Sequence, residues 1–238
     1  MSTGRYREVR VDGRALRVAV RRNPRARRIS LSIRGGEVRL TLPPGASEAT
    51  GLAFLRSRGD WVAGRLRDAP DPVPFEPGET VPFRGRPRLI RLDPALRDPL
   101  RLEDDRILLA SPAGCSRLVE AWLRHEARRA FEEAVARHAA SLGVEPRGIA
   151  IRDQKTRWGS ASAAGRLNFS WRAVMAPPFV LDYLAAHEVA HLREMNHSPR
   201  FWSLCRRLCP ETDTAERWLK TEGPGLHRYG REPTRPER

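Results

Sequence analysis

PFVLDYLAAHEVAHLREMNHSPRFW, residues 178–202, is the stretch that decides the reading of this chain. It starts with a proline suited to a first helical position and carries Leu181, Leu184, Ala185, Val189 and Leu192 at helical spacing. The pattern predicts a helix from Pro178 to Met195 with an apolar stripe facing a core. On it His187 and His191 stand four residues apart, rotated by only about 40°, so their imidazoles converge on one point. Glu188 follows the first of them. Two imidazoles and a carboxylate in a buried helix are costly without a partner. A metal ion suits these residue types, with the histidines as ligands and the glutamate as base for a water molecule.

His197 is the expected third ligand, on a condition. A continuing helix would carry it about 240° around the axis, away from the ion. The helix must therefore stop first. Asn196 is a candidate left-handed terminator, and Ser198-Pro199 supplies the N-cap and first position of a new helix. A turn at 196–198 can return His197 to the ion and leave one coordination position open, as catalytic zinc requires. Glu194, Glu211 and Glu216 are rival third ligands. Cys205 and Cys209 are also four residues apart, but two thiols with no further Cys or His close by make an incomplete zinc set. They read as core residues.

Composition narrows the class. The chain has 238 residues, 40% hydrophobic and 31% charged, a globular balance. It contains no run of 18 apolar residues, so no membrane helix is expected. The start, MSTGRYREVRVDGR, has no apolar segment of a secretory signal. Three cysteines, Cys115, Cys205 and Cys209, fit a reducing compartment, and a cytoplasmic location is expected. The net charge of +15 is almost all arginine, since Lys155 and Lys220 are the only lysines. Such a skew resembles coding bias more than selection for phosphate contacts. The exception is Arg21-Arg22-Asn23-Pro24-Arg25-Ala26-Arg27-Arg28, read as a solvated basic turn, with a weak nucleic-acid or anion contact as its other use.

Outside the histidine helix, alternation predicts strands over residues 8–20, around a turn at Asp12-Gly13, and at 29–33 and 38–42, the last two joined by Gly35-Gly36. Ser47 caps a helix running to Arg67. The proline-rich stretch 69–78 is a loop, short strands follow at 79–92 and 106–110, and 116–141 form a long helix stopped by Gly143. Ile149-Ile151 and Leu167-Trp171 are further strands, and Glu211–Thr221 a last short helix. The expected class is α+β: a β-rich part with one helix at 1–112, a zincin-like catalytic part at 113–222 whose active-site helix packs on a small antiparallel sheet, and a disordered basic tail at 223–238. No internal repeat is visible.

Several segments together resemble the YgjP-like metallopeptidase family, related to the SprT-like and minimal gluzincin metalloproteases. They are Thr156-Arg157-Trp158-Gly159-Ser160, Leu167-Asn168-Phe169-Ser170-Trp171, Ala176-Pro177-Pro178, Asp182-Tyr183, His187 to His191, and Asn196 to Trp202. The resemblance implies a zinc site of His187, His191 and His197 with Glu188 as base. The family usually has cysteine where Ala161 stands. Some relatives are described as nucleotide (UTP) pyrophosphatases, so the implied substrate is a polypeptide or a nucleotide.

The expected activity is zinc-dependent hydrolysis of peptide bonds, with UTP hydrolysis or a nucleic-acid-associated protease as alternatives. Arg157 is the first candidate to stabilise the oxyanion, because it precedes the Trp158-Gly159 turn; Tyr183, one helical turn before His187, is the second. Trp158, Trp171 and Trp202 are expected to pack around the site. The Leu167–Trp171 strand is a candidate edge for an added peptide strand.

Overall fold

The computed structural model of the chain describes residues 5–11, 14–34, 37–67 and 71–231. The turns expected at Asp12-Gly13 and Gly35-Gly36, the start of the proline-rich stretch at Ala69-Pro70, and the tail beyond Arg231 lie outside the described residues.

The chain forms two compact units, Met1–Pro72 and Val73–Arg238. In the first, β1 (Arg5–Val11) and β2 (Arg14–Arg22) pair antiparallel, with Val9 opposite Leu16. Then come β3 (Ser30–Arg34) and β4 (Glu37–Leu42), giving the order β1-β2-β4-β3 with β2 and β4 parallel. Alternate residues Val18, Val20, Val38, Leu40 and Leu42 bury against Leu55 and Val62. Those two come from α1 (Glu48–Arg56) and α2 (Gly59–Arg67), where one helix was expected. Ser47 caps α1 by accepting from the Thr50 amide at 3.0 Å. The break falls at Ser57-Arg58, where the Ser57 hydroxyl donates back to the Phe54 carbonyl at 2.9 Å.

The second unit begins with β5 (Thr80–Phe83), β6 (Arg86–Leu92), β7 (Leu100–Leu102) and β8 (Arg106–Leu109). Their order, β5-β6-β8-β7 with β6 and β8 parallel, repeats the pattern of the first sheet, although the sequence shows no repeat. These strands were expected in the N-terminal part, with a boundary near residue 112. They pack instead with the helical part of the chain: Phe75, Val81, Phe83, Ile90, Ile107 and Leu109 share one core with Val119, Leu123 and Phe131 of α3 (Cys115–Leu142). The division therefore falls at Pro72–Val73, inside the proline-rich stretch.

After α3, stopped by left-handed Gly143 (φ 64°), come β9 (Gly148–Arg152), β10 (Gly159–Ala161) and β11 (Arg166–Ser170). The sheet order is β10-β11-β9, antiparallel on one side of β11 and parallel on the other, so the small sheet is mixed rather than antiparallel. A 3-10 turn, Trp171–Met175, leads into α4 (Pro178–Ala190), which packs on α3, β10 and β11. α4 is buried nearly all round, through Val180, Tyr183, Leu184, Ala185, Ala186 and Val189, as suits a central helix. α5 (Pro199–Leu208) and α6 (Thr212–Thr221) follow. Residues 223–228 are not a loose tail but a 3-10 turn, and Tyr229 bridges to Val73. The α+β class stands, and among the described residues no helix is long and apolar enough to cross a membrane.

Candidate metal centre

α4 ends at Ala190, five residues before the end expected from periodicity. The main chain tightens there: the amides of Arg193 and Glu194 both reach the Ala190 carbonyl at 3.0 Å. The Arg193 guanidinium donates to the Leu142 and Gly143 carbonyls, each at 3.2 Å, and so ties the turn to the end of α3. Asn196 is not left-handed, because Arg84 is the one non-glycine with positive φ among the described residues. Ser198 then opens α5, accepting from the Phe201 amide at 3.3 Å, with Pro199 at the first helical position.

This early stop brings His197 back. Its Nε2 lies 3.2 Å from Nε2 of His187, and one nitrogen from each of His187, His191 and His197 falls within 4.8 Å of the others. Two of the rings are held from behind. Nδ1 of His187 is 3.2 Å from the Tyr183 hydroxyl, and Nδ1 of His191 is 3.0 Å from the Glu194 carbonyl. A proton on each Nδ1 leaves Nε2 with its lone pair free, the ligand form. Phe201 is the floor: His191 stacks on it at 4.4 Å, and His187 and His197 meet it edge-on at 4.9 and 4.8 Å.

The donor set fits a zinc ion. Nitrogens about 2.05 Å from a tetrahedral ion stand about 3.3 Å apart, close to the 3.2 Å between His187 and His197. Burial, then the neighbouring His191 and His197, lowers the His187 pKa to about 3, and burial lowers that of His191 too. His187 and His191 are therefore neutral near pH 7, as ligands must be. The rival carboxylates stand elsewhere. Glu194 offers its carbonyl, Glu211 lines a groove with Asp182 and Arg137, and Glu216 pairs with Lys220 at 3.5 Å. Cys205 and Cys209 are buried free thiols pushed up to about 11 by burial, so they do not offer thiolates.

Glu188 is 3% exposed, and its Oε2 has no protein partner. Its carboxylate lies against Gly159, where a Cβ would come 2.3 Å from Oε1. Burial pushes the carboxyl up to about 8, against the pull of the Arg157 charge and the Ala161 backbone amide. A nearby dication would favour the ionised form further. Glu188 thus presents a buried carboxylate oxygen on the same helix as His187.

The family model for the YgjP-like, metallopeptidase domain matches residues 27–222. The chain belongs to the YgjP-like metallopeptidase family. Membership makes it a metal-dependent hydrolase of the peptidase class, with a polypeptide as the implied substrate. Among solved structures, the YgjP-like chain is similar to the crystal structure of the metallopeptidase zymogen of Pyrococcus abyssi abylysin: 22% identity, TM-score 0.36, covering 39% of this chain and 93% of that one. A search of curated proteins found no match.

The remaining expected residues of this YgjP-like site fall in different places. Arg157 is exposed and acts on Glu188 through its charge. Tyr183 is 4% exposed, and its hydroxyl sits behind His187. Burial raises its pKa, so the hydroxyl keeps its proton. Trp171 is fully buried, Trp202 lies 5.7 Å from the His197 ring, and Trp158 stacks on His227 at 5.3 Å. Ala161, standing in place of the family's cysteine, contributes only a backbone amide, which any residue supplies. β11 is the central strand of its sheet and cannot be the peptide-adding edge; β10 is an edge strand. Sequence reading missed β10, Phe201 as the floor, and Gly159 as the wall behind the carboxylate. The R-W-G-S run held the last signal, since a glycine beside a buried glutamate marks close approach.

Proposed function

We propose that this chain is a zinc-dependent peptidase in which His187, His191 and His197 hold the ion and Glu188 is the general base. The observation that carries this reading is the convergence of three imidazoles beside a buried carboxylate with one unpartnered oxygen. Three nitrogen ligands of borderline softness favour zinc over magnesium or calcium. When bound, the ion supplies Lewis acidity to a water molecule and to the scissile carbonyl.

The side chains do the rest. Glu188 accepts the water's proton as the carbonyl is attacked and passes it to the leaving amine. Arg157 holds positive charge near that carboxylate and opposes its protonation between turnovers. Tyr183 acts from behind, fixing the His187 ring and its tautomer, rather than as an electrophile. β10, as an edge strand, suits an extended peptide added by main-chain hydrogen bonds. A triphosphate needs several cations, and among the described residues Arg157 is the cation whose charge acts on Glu188, which favours polypeptide over UTP. The buried free cysteines fit a cytoplasmic setting.

The test is zinc-loaded protein given an unfolded polypeptide and UTP in parallel assays. Peptide fragments with intact UTP are expected. UTP hydrolysis without peptide cleavage replaces the peptidase by a pyrophosphatase, and inertness towards both overturns the hydrolase reading. His197→Ala should lower bound zinc, whereas full zinc there with loss in Glu211→Ala transfers the third ligand to Glu211.

A further inference from the structure

The family match ends at residue 222, and the residues after it form contacts outside the catalytic scheme. Gly223 lies against the Trp158 indole, where a Cβ would come within 3.1 Å of Cζ2. The His227 ring stacks on the same indole at 5.3 Å between centroids and 28° between planes. The segment is fastened independently of that stack. Arg172, 5% exposed, donates from Nη1 to the carbonyls of Leu226 (3.1 Å) and Tyr229 (2.8 Å) and from Nε to Asp153 (2.9 Å). Leu226 is buried in the core, and Val73 exchanges main-chain bonds with Arg228 (3.1 Å) and Gly230 (2.8 Å).

Trp158 is thus held from two sides. On its inner side its carbonyl accepts from the Ser170 amide at 2.8 Å, and the next residue, Gly159, pairs with Phe169 in β11. On its outer side stand His227 and Gly223. Its two sequence neighbours both bear on Glu188: Gly159 backs the carboxylate and Arg157 supplies a charge that acts on it. Both are bonded directly to Trp158, so the placement of its main chain sets theirs. The proposed metal ligands lie on α4, at its end and in the turn before α5, and their ring contacts are with one another, Tyr183, Phe201 and Trp202.

We propose that residues 223–229 are a brace whose His227 and Gly223 position Trp158, and through it the cradle of Glu188, without holding the metal. The proposal rests on the reading of Glu188 as the base. His227 is a positioning residue here, and the ring itself does the positioning, so an aromatic replacement should serve.

The experiment compares wild type, His227→Ala, His227→Phe and Gly223→Ala as full chains loaded with zinc. It measures kcat and KM on an unfolded polypeptide, zinc affinity, and amide hydrogen exchange over residues 157–161. For His227→Ala the expected result is a kcat reduced on the order of tenfold, from displacement of a reacting group, with zinc affinity unchanged and faster exchange at 157–161. His227→Phe should restore both readouts, and Gly223→Ala should fall between. Wild-type kcat and wild-type exchange in His227→Ala overturn the brace, as does a loss that His227→Phe does not repair. Should His227→Ala not fold, Gly223→Ala carries the same two readouts. If wild type cleaves no polypeptide, the functional reading fails while hydrogen exchange still decides whether the segment holds Trp158.

Discussion

The proposed base and two of the proposed ligands lie at neighbouring positions along α4 and its C-terminal end, with His197 in the turn that follows, but they are supported by different parts of the molecule. The proposed ligand wall is built on helix ends: α4 carries His187, His191 caps it, His197 follows in the turn before α5, Phe201 underlies the rings, and Tyr183 and the Glu194 carbonyl fix two of them from behind. The base cradle is a short edge strand and a loop: Gly159 touches the carboxylate, Arg157 lends charge, and Trp158 is held by residues from the chain's end. Neighbours in sequence therefore need not be neighbours in dependence. Metal binding and proton transfer should be separable by mutation.

The largest expected effect lies on the wall. His187→Ala or His191→Ala should lower zinc to a small fraction of one equivalent by elemental analysis and take peptide cleavage to background. Gly159→Ala acts on the cradle. Its methyl would meet Oε1 at 2.3 Å, so the carboxylate must move, and kcat should fall on the order of 100-fold, within the range for a lost general base, while zinc stays bound. Equal loss of zinc and kcat in that variant would merge the two regions. Tyr183→Phe returns to the wall, removing the partner of His187 Nδ1; competition with a chelator should show zinc affinity reduced by about 10- to 100-fold, as for other outer partners of metal ligands.

The smallest effect concerns the ion pair that anchors the brace. Burial alone would raise the Asp153 pKa, but the charge and hydrogen bond of Arg172, with help from Lys155 and Arg124, hold it below the usual carboxylate value. A carboxylate whose folded pKa lies below its unfolded value of about 3.9 stabilises the fold above that pH and loses the contribution as pH falls through the folded value. Asp153→Asn should therefore melt lower than wild type at pH 6–7, with the gap closing below about pH 4. A gap independent of pH would show that the Asp153 charge does not stabilise the fold.

Much of the wall was legible in sequence because local rules govern it. Helical spacing pairs His187 with His191, and Ser198-Pro199 announces α5. The early end of α4 was not legible, because Leu192 continues the apolar period, while the stop depends on Arg193 bonding the end of α3 some fifty residues earlier. The cradle was hidden for other reasons. β10, Gly159–Ala161, is too short for alternation to register. The segment after Glu222 is rich in Gly, Pro and Arg and reads as disordered, yet Arg172 ties it down from far away in sequence. The boundary near residue 112 failed in the same way: β5 to β8 resemble an independent sheet, and only long-range packing joins them to α3.

In the proposed mechanism Glu188 moves the proton while the histidines hold the metal. This is tested most directly by Glu188→Gln, whose amide keeps the shape of the side chain and removes its basicity. Bound zinc and the cleavage rate of an unfolded polypeptide should be measured on the same preparations of variant and wild type. Zinc content should be equal, and kcat lower by about 10²- to 10⁴-fold in the variant. A variant that carries full zinc and cleaves at the wild-type rate would contradict it.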